Sequence, residues 1–402
     1  MHCTRRIDDD IIWVGADDRR LLLFEALYSV PMGISYNSYL ILDEKTALID
    51  TVDRAVTDQF LENIEETLCG RGLDYLVIQH MEPDHSATLI DVLLRYPECE
   101  VICNCRIYEM IVAFKNVHVN AKIVRDGDVL ELGKHRLTFI SAPMVHWPEV
   151  MVSYEITGGT LFSADAFGTF GALNGAIFAD EVDFDRDCLD EARRYYCNIV
   201  GKYGPQVRSL LCKLSSLCVK KICPLHGPVW RENIDYYVNK YVHWSAYKPE
   251  KRGVMIAYAS VYGNTENAAN VLACRLREAG IECVMHDVSV SEYSYIIADA
   301  FKYSHLTFAS VTYNGGAFSN MEALLHDLVA HSLEGRRVAL IENGSWCPTA
   351  AKGMMQILSS LKNTTFIDKA FSFKSSLHGL ECEALDALAD AIIKSVKKYG
   401  NF

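Results

Sequence analysis

The sequence predicts an α/β chain of two domains, the second of them a doubly wound parallel sheet of five strands. Three observations carry this. At 402 residues the chain exceeds one ordinary core, at roughly 100–200 residues per domain. The hydrophobic pattern changes near residue 250, where short β-rich runs with occasional helices give way to a strict alternation of strand and helix. Five βα units in succession imply a parallel sheet with helices on both faces.

In the first half, residues 38–50 read as a hairpin turning at Asp43-Glu44-Lys45, 73–79 as a buried strand and 86–95 as a helix. Residues 135–142 and 151–163 read as further strands. Helices over about 186–202 and 206–219 precede a last strand at 220–224. Residues 242–253, with Pro249 and the run Glu250-Lys251-Arg252, read as a linker, so the domains are expected at 1–248 and 253–402. Beyond it the expected strands are 254–259, 282–288, 306–312, 337–342 and 366–373. The helices between and after them are expected at about 267–279, 293–300, 320–330, 350–361 and 383–399.

Composition excludes several classes. Half the residues are hydrophobic and 23% are charged, which fits a folded globular chain and not a disordered one. The net charge of −13 lacks the basic footprint of a nucleic-acid binder. No run reaches the roughly 18 apolar residues that span a bilayer. The opening His2-Cys3-Thr4-Arg5-Arg6 and Asp8-Asp9-Asp10 contain no apolar leader core, so a cytoplasmic protein without membrane contact is expected. The 14 cysteines include no CxxC pair; as scattered small hydrophobes they argue against a zinc ribbon or thioredoxin motif.

The end of the strand at 73–79 runs into His80-Met81-Glu82-Pro83-Asp84-His85. Alternate residues of an extended segment point the same way, so His80, Glu82 and Asp84 can converge. Three more candidates each follow a strand: His146 after Ile140-Ser141-Ala142-Pro143, Asp165 after Leu161-Phe162-Ser163-Ala164, and His226 within Cys223-Pro224-Leu225-His226-Gly227. A single His or Asp at a strand end is ordinarily a hydrogen-bonded structural group; together with the six-residue cluster these read as a metal centre. The order HxxxDH, then H, D and H, resembles the metallo-β-lactamase fold, an αββα sandwich. Glu82 stands where that fold usually carries a second His, and the form H-x-E-x-D-H resembles the flavodiiron (A-type flavoprotein) family. Chemistry points the same way: zinc hydrolase sites favour nitrogen ligands with an open water position, whereas added carboxylate favours a harder redox metal such as iron.

The resemblance implies two iron ions per chain. His80, Glu82 and His146 would hold one, Asp84, His85 and His226 the other, with Asp165 bridging; no catalytic residue beyond these ligands is implied. In some members the His corresponding to His85 swings away and water replaces it. The stretches 33–39 and 48–51 resemble the family's N-terminal strands, but this chain carries Phe24-Glu25 where many members have His, which leaves the relation of Glu25 to the irons open.

The first βα turn of the second domain is Ser260-Val261-Tyr262-Gly263-Asn264-Thr265. Hydroxyls and free backbone N–H groups at a helix N-terminus suit a phosphate, and neither GxGxxG nor GxxxxGK[ST] is present to favour a dinucleotide or ATP. Two more loops leave strand ends: Thr312-Tyr313-Asn314-Gly315 and Asn343-Gly344-Ser345-Trp346. Each joins glycine, for close backbone approach, to an aromatic that could flank a flat ring. The three-loop set resembles flavodoxin, and Asn-Gly-Ser-Trp resembles the flavodiiron version of it, which implies FMN.

The resemblance covers about residues 10–400 and implies a minimal two-domain oxidoreductase without a fused rubredoxin or flavin reductase. Electrons would come from rubredoxin or a similar small donor, pass through FMN, and reduce O₂ to water or NO to N₂O, with O₂ favoured. The family's head-to-tail homodimer, or a dimer of dimers, would bring the FMN of one chain to the irons of the other. Two rivals remain at this point: a metallo-β-lactamase-type zinc hydrolase with a fused flavodoxin domain, and a non-catalytic flavin electron carrier whose first domain is only structural.

Overall fold

A computed structural model describes residues 2–400. The chain forms two compact units. One comprises the described residues through Tyr196 together with Pro205–Val242; the other comprises Cys197–Gly204 and the described residues from His243 onward.

The first unit is built on two sheets. The larger has the strand order Arg5–Arg6, Ile11–Trp13, Tyr39–Ile41, Ala47–Ile49, Tyr75–Val77, Glu100–Cys103 and Ala121–Ile123, antiparallel up to Ala47–Ile49 and parallel beyond. The second runs Val129–Glu131, Arg136–Ser141, Met151–Glu155, Thr160–Phe162 and Lys221–Cys223, with only the last pair parallel. Tyr39, Leu40 and Ile41 are all buried, as expected of a strand covered on both faces. The Tyr39 ring packs on Phe162 of the other sheet with centroids 5.4 Å apart, and its hydroxyl donates to Pro224 O at 2.6 Å. Helices close the outer faces. The helix Thr57–Leu68 buries Phe60, Ile64 and Leu68 on one stripe and ends at Cys69 in the left-handed region. The helix Cys105–Lys115 begins where Asn104 accepts from Ile107 N–H. The expected αββα sandwich is therefore present.

The second unit is the expected doubly wound sheet. Its order is Glu282–Asp287, Lys251–Ala259, Tyr303–Val311, Arg337–Asn343, and then two short strands, Thr365–Phe366 and Phe371–Phe373, which both pair with Arg337–Asn343. The fifth strand, expected unbroken over 366–373, is thus split, with Asp368 at φ +58° between the halves. Helices Asn264–Glu278 and Gly379–Lys398 pack a core of Val254, Ile256, Leu272, Ile341, Leu385 and Ile392. Lys251–Ala259 has neighbours that continue in opposite directions, so its carboxyl end is a topological switch point.

Other expectations need correction. The helix expected over 86–95 is two pieces, Pro83–Ser86 and Leu89–Arg95. That expected over 186–202 breaks into Phe184–Asp187, Leu189–Tyr195, a π-helical turn Tyr196–Val200 and a 3₁₀ turn Gly201–Tyr203. The expected linker 242–253 is ordered structure: the helix Ile234–Ser245 runs into it and the strand Lys251–Ala259 starts within it. Trp244 explains this, being buried with its Nε1–H donating to Glu250 Oε1 at 2.9 Å.

Candidate functional site

The chain leaving Tyr75–Val77 delivers His80, and Glu82 stands just before the short helix Pro83–Ser86, which carries Asp84 and His85. His146 lies in the connection between Arg136–Ser141 and Met151–Glu155. Asp165 follows Thr160–Phe162, and His226 follows Lys221–Cys223. All seven side chains are buried, and they form two adjacent groups: His80, Glu82, His146 and Asp165 in one, Asp84, His85 and His226 in the other.

Asp165 faces both. Its Oδ2 lies 3.3 Å from His80 Nε2 and 3.1 Å from His146 Nε2, while Oδ1 lies 3.2 Å from His85 Nε2 and 3.8 Å from His226 Nε2. Glu82 Oε2 is 3.2 Å from His80 Nε2 and 3.1 Å from His146 Nε2. In the second group Asp84 Oδ2 is 3.2 Å from both His85 Nε2 and His226 Nε2, and those two nitrogens stand 3.0 Å apart. Burial disfavours the charged histidines, yet contact with the carboxylates outweighs it and pushes His85 and His146 up to about 9. Burial likewise opposes the charged forms of Glu82 and Asp165, but the facing histidines hold both carboxyls below their usual range. The site is a nest of buried opposite charges that protons alone satisfy poorly.

Elements distant in sequence hold the ligand loops. His80 Nδ1 donates to Glu149 Oε1 at 2.8 Å, with both side chains fully buried, and Met81 N–H donates to the same oxygen at 3.1 Å. His226 Nδ1 reaches Ser35 O at 2.7 Å, and Ser35 Oγ accepts from Gly227 N–H at 2.7 Å. Gly227 stands at φ +77°, where a Cβ would lie 2.6 Å from Thr169 Cβ. Asn37 Nδ2 donates to Pro224 O and Gly227 O, both at 2.8 Å. Asp50 accepts from Gln79 N–H at 2.7 Å, and Thr51 Oγ1 donates to His85 O at 2.8 Å. The stretches 33–39 and 48–51 are therefore clamps on the ligand loops. Glu149 was missed by sequence reasoning; its only sequence signal was an acidic residue three positions after His146. Glu25 joins neither group, but sits on a left-handed turn (φ +50°) with its carboxyl facing that of Glu82.

These residues fit a pair of iron ions. Both Asp84 oxygens, Asp165 Oδ1 and His85 Nδ1 are buried without a hydrogen-bond partner among the described residues. Imidazole and carboxylate donors without thiolate suit a first-row redox metal, and a carboxylate with one oxygen toward each group suits two ions side by side.

In the second unit the three expected loops leave the carboxyl ends of neighbouring strands. Ser260 Oγ accepts from Gly263 N–H at 3.0 Å, and Gly263 at φ +87° opens the helix Asn264–Glu278. Val261 and Tyr262 are exposed, and Thr265 is buried in the first helical turn. Tyr313 and Gly316 close a tight turn through reciprocal backbone bonds of 3.0 Å, with Asn314 and Gly315 at positive φ. Thr312 Oγ1 accepts from Thr349 N–H at 2.9 Å and Thr349 Oγ1 donates to Gly315 O at 3.0 Å, which ties the second loop to the third. Asn343 points elsewhere, donating to Ser375 O at 3.1 Å. Gly344 and Ser345 carry Trp346, which is 83% exposed, as Tyr262 is 92% exposed. Large aromatics left in water beside an N–H-rich helix start fit the phosphate and ring of FMN.

Comparison with known proteins agrees. Residues 34–227 match the family model described as ODP family beta lactamase, and residues 256–374 match flavodoxin. A nitric oxide reductase from Moorella thermoacetica is 33% identical over 327 residues, covering 80% of this chain and 81% of that one. Among solved structures, the rubredoxin oxygen:oxidoreductase of Desulfovibrio gigas superposes with a TM-score of 0.93 at 27% identity, covering 98% of this chain and 99% of the other. The flavodiiron protein of Giardia intestinalis gives a TM-score of 0.91 at 25% identity, covering 99% of this chain and 98% of the other. Among the described residues no helix is long and apolar enough to cross a membrane.

Proposed function

The chain belongs to the flavodiiron proteins, oxidoreductases that carry FMN and a di-iron centre, and from that premise we propose that it reduces dioxygen to water, nitric oxide to nitrous oxide, or both. The observation that carries the reading is the position of Asp165, whose two oxygens each face one of two buried His/carboxylate groups. His80, Glu82 and His146 would hold one iron, Asp84, His85 and His226 the second, with Asp165 shared between the two groups. The loops 260–265, 312–315 and 343–346 hold FMN. When bound, the flavin and the iron pair would supply the electrons and the redox chemistry that reduces a diatomic substrate. The protein's own contribution is to fix ligand geometry through Glu149, Ser35, Asp50 and Thr51 and to line the site with Phe24, Tyr36 and Trp147, whose rings pack on the histidines.

Electrons come from a separate small donor of the rubredoxin kind, the partner named for the Desulfovibrio protein. A head-to-tail homodimer is the smallest active unit. The zinc-hydrolase alternative is not favoured, because the relatives are oxidoreductases and Glu82 adds carboxylate where a hydrolase carries nitrogen. Two measurements test the reading. Metal analysis should give two irons per chain, and side-by-side turnover with reduced rubredoxin should consume O₂, NO or both. One tightly held zinc without iron, or an iron- and FMN-replete protein that consumes neither gas, would overturn it.

A further inference from the structure

The helix Ile234–Ser245 carries Tyr237 and Tyr241 one turn apart, so both rings fall on one face, and both are fully buried. Tyr241 touches the metal-ligand loop directly. Its Oη accepts from Phe167 N–H at 2.6 Å, two residues along the chain from Asp165, and its ring lies on Phe167 with centroids 4.3 Å apart. Tyr237 follows, 5.5 Å from Tyr241. Its Oη donates to Gly168 O at 3.1 Å, and Gly168 N–H donates to Asp165 O at 3.2 Å. Trp230 stacks on Tyr237, with centroids 4.6 Å apart and ring planes 17° from parallel. Tyr236 lies 6.2 Å beyond Trp230. It is half-buried, and its hydroxyl donates to Asp185, which is exposed.

Ring contact alone would make this row a piece of core. Two features go further. Trp230 Nε1 is buried and has no hydrogen-bond partner among the described residues, a cost that phenylalanine would avoid, because buried indole N–H groups ordinarily find an acceptor. An indole that gives up one electron with no acceptor at hand keeps its proton, so it can take the electron back unchanged. Tyr236 is the opposite case. A phenol releases its proton when it is oxidised, and the Asp185 carboxylate, bonded to that hydroxyl and open to water, is placed to receive it. The row runs from a metal-ligand loop to the surface, with a proton-retaining ring on the way and a carboxylate at its outer end.

We propose that Tyr241, Tyr237, Trp230 and Tyr236 form an electron path that discharges an over-oxidised metal site onto the protein surface. The proposal rests on the di-iron reading given above. The oxidant is hydrogen peroxide, the product of incomplete oxygen reduction, which takes two electrons and two protons to become two waters. When the flavin holds no electrons, one electron moves inward along the row for each half of that reduction. Tyr236 is left each time as a neutral radical, with its hydroxyl proton on Asp185. A thiol in solution then returns one electron to Tyr236, and the proton returns from Asp185. Two thiols per peroxide end as a disulfide and release to water the two protons that peroxide consumes. The oxidising equivalent thus leaves the buried ligand side chains, where it would otherwise do damage.

The test mixes the oxidised iron- and FMN-loaded protein with hydrogen peroxide, freezes it rapidly and reads organic radicals by electron paramagnetic resonance. Wild type should give a radical signal that narrows when the protein carries ring-deuterated tyrosine, which marks it as tyrosyl. Tyr236→Phe should lose that signal. Trp230→Phe should lose it too, although Tyr236 and its bond to Asp185 remain, and Trp230→Tyr, which restores an oxidisable ring, should recover part of it. A tyrosyl signal unchanged in both phenylalanine variants overturns the proposal, as does its absence from wild type. An equal signal from zinc-loaded protein also overturns it, because peroxide then oxidises the surface tyrosine without the metal site. Tyr236→Phe, a change at the outer end of the row, keeps the test decisive should Trp230→Phe lose iron. Wild-type protein that takes up no iron defeats the di-iron reading and this proposal together, whereas an iron-replete wild type without the signal defeats this proposal alone.

Discussion

Replacing Glu149 by alanine should loosen the iron proposed at His80 while leaving the flavin in place. Glu149 Oε1 accepts two hydrogen bonds, from His80 Nδ1 at 2.8 Å and from Met81 N–H at 3.1 Å, in a pair whose side chains are fully buried. The first fixes the His80 tautomer with Nε2 free to face Glu82 and Asp165 as the proposed ligating nitrogen, and it raises the basicity of the ring. Alanine leaves two buried donors without an acceptor, each costing about 1–3 kcal/mol. Loss of a ligand's outer partner lowers metal affinity by about 10–100-fold, about 1.4–2.7 kcal/mol. Glu149→Gln keeps the volume and one acceptor but loses the charge, so its effect should lie near the lower end of that range. The segment itself should stay put, because Asn104 Nδ2 donates to the backbone carbonyl of Glu149 at 2.6 Å. The assay is chelator competition against the iron-loaded protein, with FMN content as the internal control. Iron affinity within about twofold of wild type in both variants would refute the argument, since two units of affinity change on the logarithmic scale are what a 100-fold loss predicts.

Four further outcomes can be checked. Asp165→Asn removes the negative charge shared by the two groups, so one or both irons should be lost with FMN retained; a variant that keeps both irons and full activity would show that Asp165 does not bridge. Arg336 is fully buried and donates to the carbonyls of Ala300, Tyr247, Glu334 and Phe301 at 2.7–2.9 Å, so Arg336→Met should destabilise its unit by about 3–5 kcal/mol in urea unfolding, the cost of leaving several buried acceptors unmatched. His305 is held neutral, pushed down to about 4 by burial and then by Arg337, between Ser304 Oγ at 2.8 Å and Ser395 Oγ at 3.0 Å; the unfolded chain takes up the proton first, so stability present above about pH 6.5 should be lost as pH falls toward 4, by up to about 3 kcal/mol, and His305→Gln should flatten that part of the profile. Mixing a variant without iron (His80→Ala) with one without FMN should restore part of the activity through mixed dimers, and no recovery in verified mixed dimers would count against electron transfer between chains.

How legible each feature was in the sequence depended on the range of the interaction behind it. The second unit was readable almost throughout, because a βα repeat is written in local periodicity: buried strands such as Tyr303–Val311 and Arg337–Asn343 are continuous apolar runs, and the helices between them carry one apolar stripe. The ligand cluster His80–His85 was readable for a similar reason, with four chemically specific residues crowded at a strand end. The failures were all tertiary. Residues 242–253 have the composition of a linker, but Trp244 is buried and makes a bond to Glu250, which no local pattern reveals. The helix expected over 186–202 has a continuous amphipathic pattern, but packing at Tyr195 and Arg194 breaks it with a π turn.

By itself the sequence determined the fold class, the family and the seven ligand candidates, because hydrophobic periodicity and a short spacing of metal-binding side chains are properties of neighbouring residues. The tertiary structure alone decided how those candidates share the work. Only folding places the two oxygens of Asp165 toward different histidine pairs and brings Glu149 to His80 and Ser35 to His226 across 69 and 191 positions of chain. A hydrogen bond is met or missed over tenths of an ångström, and that precision is set by the packing of residues far apart in the chain.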